Sequence, residues 1–211
     1  MNHAKGKKST RREQADASRR KVLLAARDAF TESGYHGATM ADIARRSGLA
    51  VQTVSYFFGT KARLLSQLIA STVRLEMGDT PPMARAEWEH AMATSVTGRT
   101  LIDVFVDGGH PILTGTAPLM DVARIGGLTD PEVAEVYDEH EAWRRRDFEQ
   151  FTAWLSERGA LREGLTHEAA TDITLTINGP DTYRVFAGVH GWDSDTIRAW
   201  MKDALKRLLL P

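Results

Sequence analysis

Three glycines, Gly34, Gly48 and Gly59, constrain this chain more than any other feature. They cut residues 34–60 into pieces that hold helices of only two or three turns, and no apolar/polar alternation of the kind a strand requires persists between them. In the first piece Thr39 stands where a helix N-cap is needed, Asp42 where a carboxylate can complete the cap, and Ile43 and Ala44 turn inward. After Gly48-Leu49-Ala50, the segment Val51 to Phe58 is long enough for a second short helix, which Gly59-Thr60 break. Two short helices joined by a tight glycine turn make a helix-turn-helix unit.

The flanking sequence is also helical. Val22, Ala25, Ala26, Ala29 and Phe30 recur at steps of three and four, so the spacing predicts a helix over 16–33 with Gly34 as its left-handed C′ residue. Leu64, Leu65, Leu68, Ile69, Thr72 and Val73 predict another over 61–77, followed by a break at Gly78 and Pro81-Pro82. Helices are expected at 84–96, 99–107 and 117–126, with a Gly108-Gly109-His110-Pro111 loop between the last two. Val133, Tyr137, His140, Arg144, Phe148, Phe151 and Leu155 then mark the longest helix, 131–157, with Pro131 at its first position. A helix over 166–178 meets Gly179-Pro180, which must kink or restart it. The last, 194–210, has Ser194 as its cap and a wide stripe that includes Ile197, Met201 and Leu205. The fold class is therefore all-α: a basic, mobile arm at 1–15, a three-helix module at 16–60 and a larger helical domain at 61–211.

Composition separates these parts. The 211 residues are 42% hydrophobic and 26% charged, and the formal net charge is only −1. Yet residues 1–74 hold 14 Lys and Arg against 5 Asp and Glu, while the remainder holds 13 against 23. A basic third on an acidic body points to a polyanion as partner of the first part, although basic termini are also often just solvated. The absence of cysteine excludes disulfides and thiolate metal sites. No apolar run suits a signal peptide or a membrane span, so a cytoplasmic protein is expected.

The string at 34–65, GYHGATMADIARRSGLAVQTVSYFFGTKARLL, resembles the N-terminal DNA-binding domain of TetR-type transcriptional regulators. The shared elements are Gly-Tyr-x-x-x-Thr, Asp-Ile-Ala, the Gly-Leu turn, Val-Gln-Thr-Val, and Phe58-Gly-Thr-Lys61 before Leu64-Leu65. The residue types suit the role: a recognition helix needs a slim first turn, and Val51, Gln52 and Thr53 offer methyl groups for thymine and an amide for adenine. Thr39 and Met40 open a helix whose N–H groups can hold a phosphate. The resemblance assigns Lys61 a phosphate contact. Where family members often carry a phosphate-contacting tyrosine, this chain has Ser55, with Tyr56 beside it. Ser55 can donate over a shorter reach, and Tyr56 either packs or contacts DNA. Arg11 and Arg12 either enter the adjacent minor groove or remain solvated.

The resemblance further implies a homodimer on a palindromic operator in double-stranded DNA, and a small-molecule effector bound in the C-terminal domain. Ile173, Ile177, Trp200, Leu205 and Leu208 are the candidate dimer residues, or else fill the chain's own core. Candidate pocket residues are His140 and Arg144, which interrupt an apolar stripe, Trp88, Met92 and Phe105, which are large side chains on less regular helices, and Asn178 beside the Gly-Pro break. The stronger alternative for each is a core or surface-pairing role. The sequence carries no P-loop, GxGxxG after a strand, HExxH or GxSxG, so no catalytic residue, metal or cofactor is assigned. The expected function is a sequence-specific transcriptional regulator, by family habit a repressor released by its effector. The rivals are a nonspecific, charge-driven DNA binder and, more remotely, a helical enzyme.

Overall fold

A computed structural model of the chain describes residues 3–77, 90, 93–94 and 97–211. Its elements are α1 (His3–Gly37), α2 (Met40–Ser47), α3 (Val51–Phe58), α4 (Lys61–Met77), α5 (Gly98–Gly127), α6 (Pro131–Glu157), α7 (His167–Ile177), α8 (Pro180–Arg184), a π-helical turn (Val185–Val189) and α9 (Ser194–Leu209). No strand occurs among the described residues, and none of their helices is long and apolar enough to cross a membrane. Most of the expected helix at 84–96 and the Pro81-Pro82 break lie outside the described residues, as do Trp88 and Met92.

The chain divides into two compact units, one made of Met1–Ala70 with Val122–Val136 and the other of Ser71–Asp121 with Tyr137–Pro211. In the first unit the predicted face of α1 is the buried one: Val22, Ala25, Ala26, Ala29 and Phe30 all lie in the interior with Ile43, Val54, Phe58, Leu64 and Leu65. Gly34 has φ 66° and turns the end of α1, a conformation that a side chain resists. Segment 122–136 adds Ala123 and Val133 to the buried set.

The second unit is built around Leu101, Ile102, Phe105, Val106, Phe151, Leu155, Ile197, Met201 and Leu205. Phe105 stacks on Phe151 with ring centroids 3.9 Å apart and meets Phe148 edge-on at 5.0 Å. Lys202 and Lys206 of α9 hold Asp107 and Asp103 of α5 at 2.5 and 2.6 Å, closing the rim of this core.

The structure corrects three expectations. Helix α1 begins at His3, so residues expected as an irregular arm are helical; Ala, Lys, Arg, Glu and Gln are good helix formers, and their propensity acts without any apolar periodicity. The 108–111 loop is absent, because α5 runs through both Pro111 and Pro118. A proline removes one intrahelical bond, but the buried stripe continues past it through Leu113 and Ala117, and that burial outweighs the break. The cap of α9 is Asp193, whose carboxylate accepts from Thr196 N at 2.9 Å. Ser194 instead bonds His110.

Candidate nucleic-acid interface

Helix α2 is opened by Thr39, whose Oγ1 accepts from Asp42 N at 3.1 Å. Asp42 does not close a capping box; it binds Arg45 and Arg46, and these guanidiniums hold its carboxyl below the usual range. Arg46 also reaches Glu32 of α1 at 2.8 Å, tying α2 to α1. Gly48 ends α2 at φ 71° and its N–H returns to the last turn, which produces the tight connection to α3.

Helix α3 turns Val54 and Phe58 inward, while Thr53 is half-buried. Val51, Gln52, Ser55 and Tyr56 are exposed, and their spacing places them on one outer face. Tyr56 is 84% exposed, so it is not a packing residue. Ala50 supplies no side-chain cap, and the first α3 amides to bond back to it are those of Thr53 and Val54. The N–H groups of Val51 and Gln52 therefore begin the helix without an intrahelical acceptor, beside the side chains best shaped for base edges.

Lys61 is placed differently from a simple surface cation. Its Nζ donates to Tyr35 O at 2.6 Å and Ala38 O at 2.9 Å and lies 4.1 Å from the Tyr35 ring centre. Burial pushes its pKa below the ordinary lysine value. Two of its three N–H groups thus fasten α4 to the end of α1, leaving one for an anion. Thr39, Arg11 and Arg12 are exposed and Met40 is half-buried.

Other members of this surface were not singled out in the sequence. Arg19 of α1 lies 5.3 Å from the centre of the Phe57 ring, bringing a cation beside the recognition helix. Helical spacing places Arg19 on a polar face and says nothing of the neighbouring helix. Tyr35 Oη donates to Asp130 Oδ2 at 2.9 Å, and Thr60 donates to Glu132 at 2.7 Å. These bonds seat segment 122–136 against the end of α1 and the start of α4; the sequence separations, 95 and 72 residues, hide them from any local pattern.

The described candidate pocket residues of the second unit have different immediate partners, although Phe105 and Arg144 both lie against Phe148. Phe105 belongs to the aromatic core, and His140 is buried edge-on to Trp143. Arg144 lines an open cavity of about 640 Å³ between α6 and the α7–α8 corner. Its guanidinium is engaged by Glu141 at 2.5 and 2.7 Å, and neighbouring Arg145 holds Asp172 at 2.6 Å. Asn178 is buried at the end of α7. Of the candidate dimer residues, Leu205 is fully buried within the single chain, so it serves the core and offers no surface. Ile173, Ile177 and Trp200 are half-buried against that core, and Leu208 is 39% exposed.

Residues 22–68 match the family model described as bacterial regulatory proteins, tetR family. No curated protein matches the chain. Among solved structures, native NalD from Pseudomonas aeruginosa, the secondary repressor of the MexAB-OprM multidrug efflux pump, aligns with TM-score 0.70 at 21% identity over 93% of this chain and 98% of that one. A transcriptional regulator from Saccharomonospora viridis in complex with choline gives 0.67 at 17%, covering 93% and 99%. The regulator FadR from Bacillus subtilis in complex with stearoyl-CoA gives 0.67 at 16%, covering 88% and 96%. The chain thus carries a DNA-binding domain matching the tetR family of bacterial regulatory proteins on a TetR-like, all-helical fold.

Proposed function

We propose that this protein is a cytoplasmic, sequence-specific transcriptional regulator, without catalytic activity, that binds a palindromic operator as a homodimer and represses until a small-molecule effector releases it. The observation that carries the reading is the exposed row Val51, Gln52, Ser55 and Tyr56 on a short helix whose opposite side is anchored by Val54 and Phe58. Such a helix presents readers of base edges on a fixed support, and two copies related by a twofold axis read two half-sites about one helical turn apart. The half-exposed α7 and α9 residues Ile173, Ile177, Trp200 and Leu208 are the proposed seat of that axis. The effector needs only to favour one spacing of the two heads over the other. The repressor NalD and the choline and stearoyl-CoA complexes support this reading as structural relatives.

The test is selection of bound sequences from random duplex DNA at moderate salt, with wild type, Gln52→Ala and a chain lacking residues 1–12 in parallel. Enrichment of a palindrome by wild type and by the truncated chain, blurred in Gln52→Ala, is the expected result. A good bidentate contact to a base discriminates by about 1–3 kcal/mol, so the blurred position loses roughly 5- to 150-fold preference. Binding without enrichment that disappears with the basic terminus and with salt refutes the reading in favour of a charge-driven binder.

A further inference from the structure

Two polar side chains in the core of the second unit lack what buried polar groups normally have. His110 on α5 and Asn178 at the end of α7 are each only 4% exposed. His110 Nδ1 and Asn178 Oδ1 meet no hydrogen-bond partner among the described residues. Native interiors leave few such atoms, and each calls for an explanation.

The helices that carry the two residues meet at Gly109. Gly109, which precedes His110, faces the Asn178 amide: a methyl group built on it would meet Nδ2 at 3.9 Å and no other neighbouring heavy atom of the described residues within 4 Å. At Gly109, α5 therefore presents no side chain to the amide, and among the described residues a methyl group would fit there in ordinary contact. His110 Nε2 is bonded to Ser194 Oγ at 2.7 Å, and its ring meets Tyr183 edge-on at 6.0 Å. Tyr183, Phe186 and Trp200 pack against the same core, with Phe186 and Trp200 centroids 4.4 Å apart. Two residues beyond Tyr183 the helix widens into the π-helical turn Val185–Val189, an irregularity found disproportionately at functional sites.

We propose that His110 and Asn178 form a hydrogen-bonding subsite for an uncharged, largely apolar effector that carries a hydroxyl or amide N–H. This rests on the reading of the chain as an effector-responsive regulator. The chemistry follows from the unpartnered atoms. Asn178 Oδ1 only accepts, so the ligand must donate. His110 Nδ1 donates or accepts according to the tautomer that Ser194 selects, and a hydroxyl answers either. Burial, with Arg198 nearby, pushes the His110 pKa below its ordinary value, so the ring is neutral. Arg198 is itself engaged by Asp195 at 2.8 Å and Asp107 at 3.7 Å. Among the described residues no unpaired charge near His110 calls for an ionic ligand, and the rings of Tyr183, Phe186 and Trp200 provide an apolar surround.

The test compares p-cresol with toluene, which share an apolar body and differ by one hydroxyl, by calorimetric titration of the full chain. Wild type is expected to bind p-cresol at least about 10-fold more tightly, because a site built to hydrogen-bond a group rejects the analogue lacking it. Asn178→Leu and His110→Phe are each expected to shrink that ratio below about 3-fold. Equal affinities in wild type, no binding of either probe up to millimolar concentration, or a ratio that survives both substitutions would overturn the proposal. The wild-type comparison stands even if one variant fails to fold. DNA selection run on the same preparations separates the two readings: a preference for p-cresol with no enriched palindrome removes the regulator and keeps the subsite, and the converse removes the subsite alone.

Discussion

Gly126→Ala reverses the ordinary expectation for a helical glycine. Taken from local propensity alone, alanine within a helix is favoured by about 1 kcal/mol over glycine. In this chain the added methyl would lie 2.8, 2.9 and 3.0 Å from Tyr35 Cγ, Cβ and Cδ1. Those atoms sit at the root of the side chain and cannot swing aside as a flexible end could. The ring is further held by its hydroxyl on Asp130 at 2.9 Å, by Lys61 at 4.1 Å and by stacking on Phe30. Overpacking of this kind costs about 1–3 kcal/mol. After the propensity gain it leaves the variant destabilised by up to about 2 kcal/mol, or at most roughly 4–8 °C in Tm at about 2–4 °C per kcal/mol for a chain of this size. Gly109→Ala is the matched control, since the methyl would meet Asn178 Nδ2 only at 3.9 Å. It should raise Tm by roughly 2–4 °C from about 1 kcal/mol of propensity. Thermal unfolding followed by far-ultraviolet circular dichroism reads both. If Gly126→Ala raises Tm as much as Gly109→Ala does, the close seating of segment 122–136 on Tyr35 is wrong.

Removing the Tyr35 hydroxyl with Tyr35→Phe should destabilise the first unit by about 1.5–3 kcal/mol, because its partner is a carboxylate; a loss that adds fully to that of Asp130→Ala in a double-mutant cycle would contradict a direct bond. Leu205→Ala should cost about 2–5 kcal/mol in a melt, whereas Leu208→Ala should barely move Tm and should weaken self-association in sedimentation velocity. Unchanged self-association would remove Leu208 from the proposed interface. His110 contributes a pH dependence whose sign is fixed by its lowered pKa. Above the ordinary value of 6.5 both folded and unfolded chains carry a neutral ring. Below it the unfolded chain takes up the proton first, so stability falls with acidification until the folded pKa is passed. His110→Phe should flatten part of that fall in urea titrations between about pH 7 and 5; a wild-type slope that persists unaltered would contradict a buried neutral ring.

Much of the first unit was legible in the sequence because its determinants are local. A glycine that must take φ 71°, a threonine cap three residues before Asp42 N, and apolar steps of three and four leave few alternative structures, and α2, α3 and α4 occur where those signals place them. The exposed face of α3 follows as soon as Val54 and Phe58 are known to point inward. Segment 122–136 and Arg19 were not legible, since their partners lie on other helices and no short-range pattern encodes them. In the second unit the GGHP string misled for a related reason: its glycines and proline carry a local breaking tendency, and the burial that overrides it is tertiary. Leu205 and Leu208 share one stripe in the sequence, and only the packing of α9 separates the core residue from the surface one.

Where local rules are broken, the two units differ in a way that bears on function. In the first unit the departures face outward: Tyr56 and Val51 are exposed on a helix whose N-terminus lacks a side-chain cap, arrangements that a purely structural helix would not favour but a DNA surface would satisfy. In the second they gather inside, where α5 keeps Gly109 against an amide, His110 and Asn178 hold polar atoms without partners among the described residues, and the helix after Tyr183 widens. A core selected for stability alone would fill the space beside Asn178 and replace the amide with leucine. That expectation joins the stability and binding measurements: if Asn178→Leu raises Tm while abolishing the preference for p-cresol, the amide is retained at a structural cost that binding explains. If it lowers Tm and leaves the preference intact, Asn178 is an ordinary structural residue and the irregularities around it need another cause.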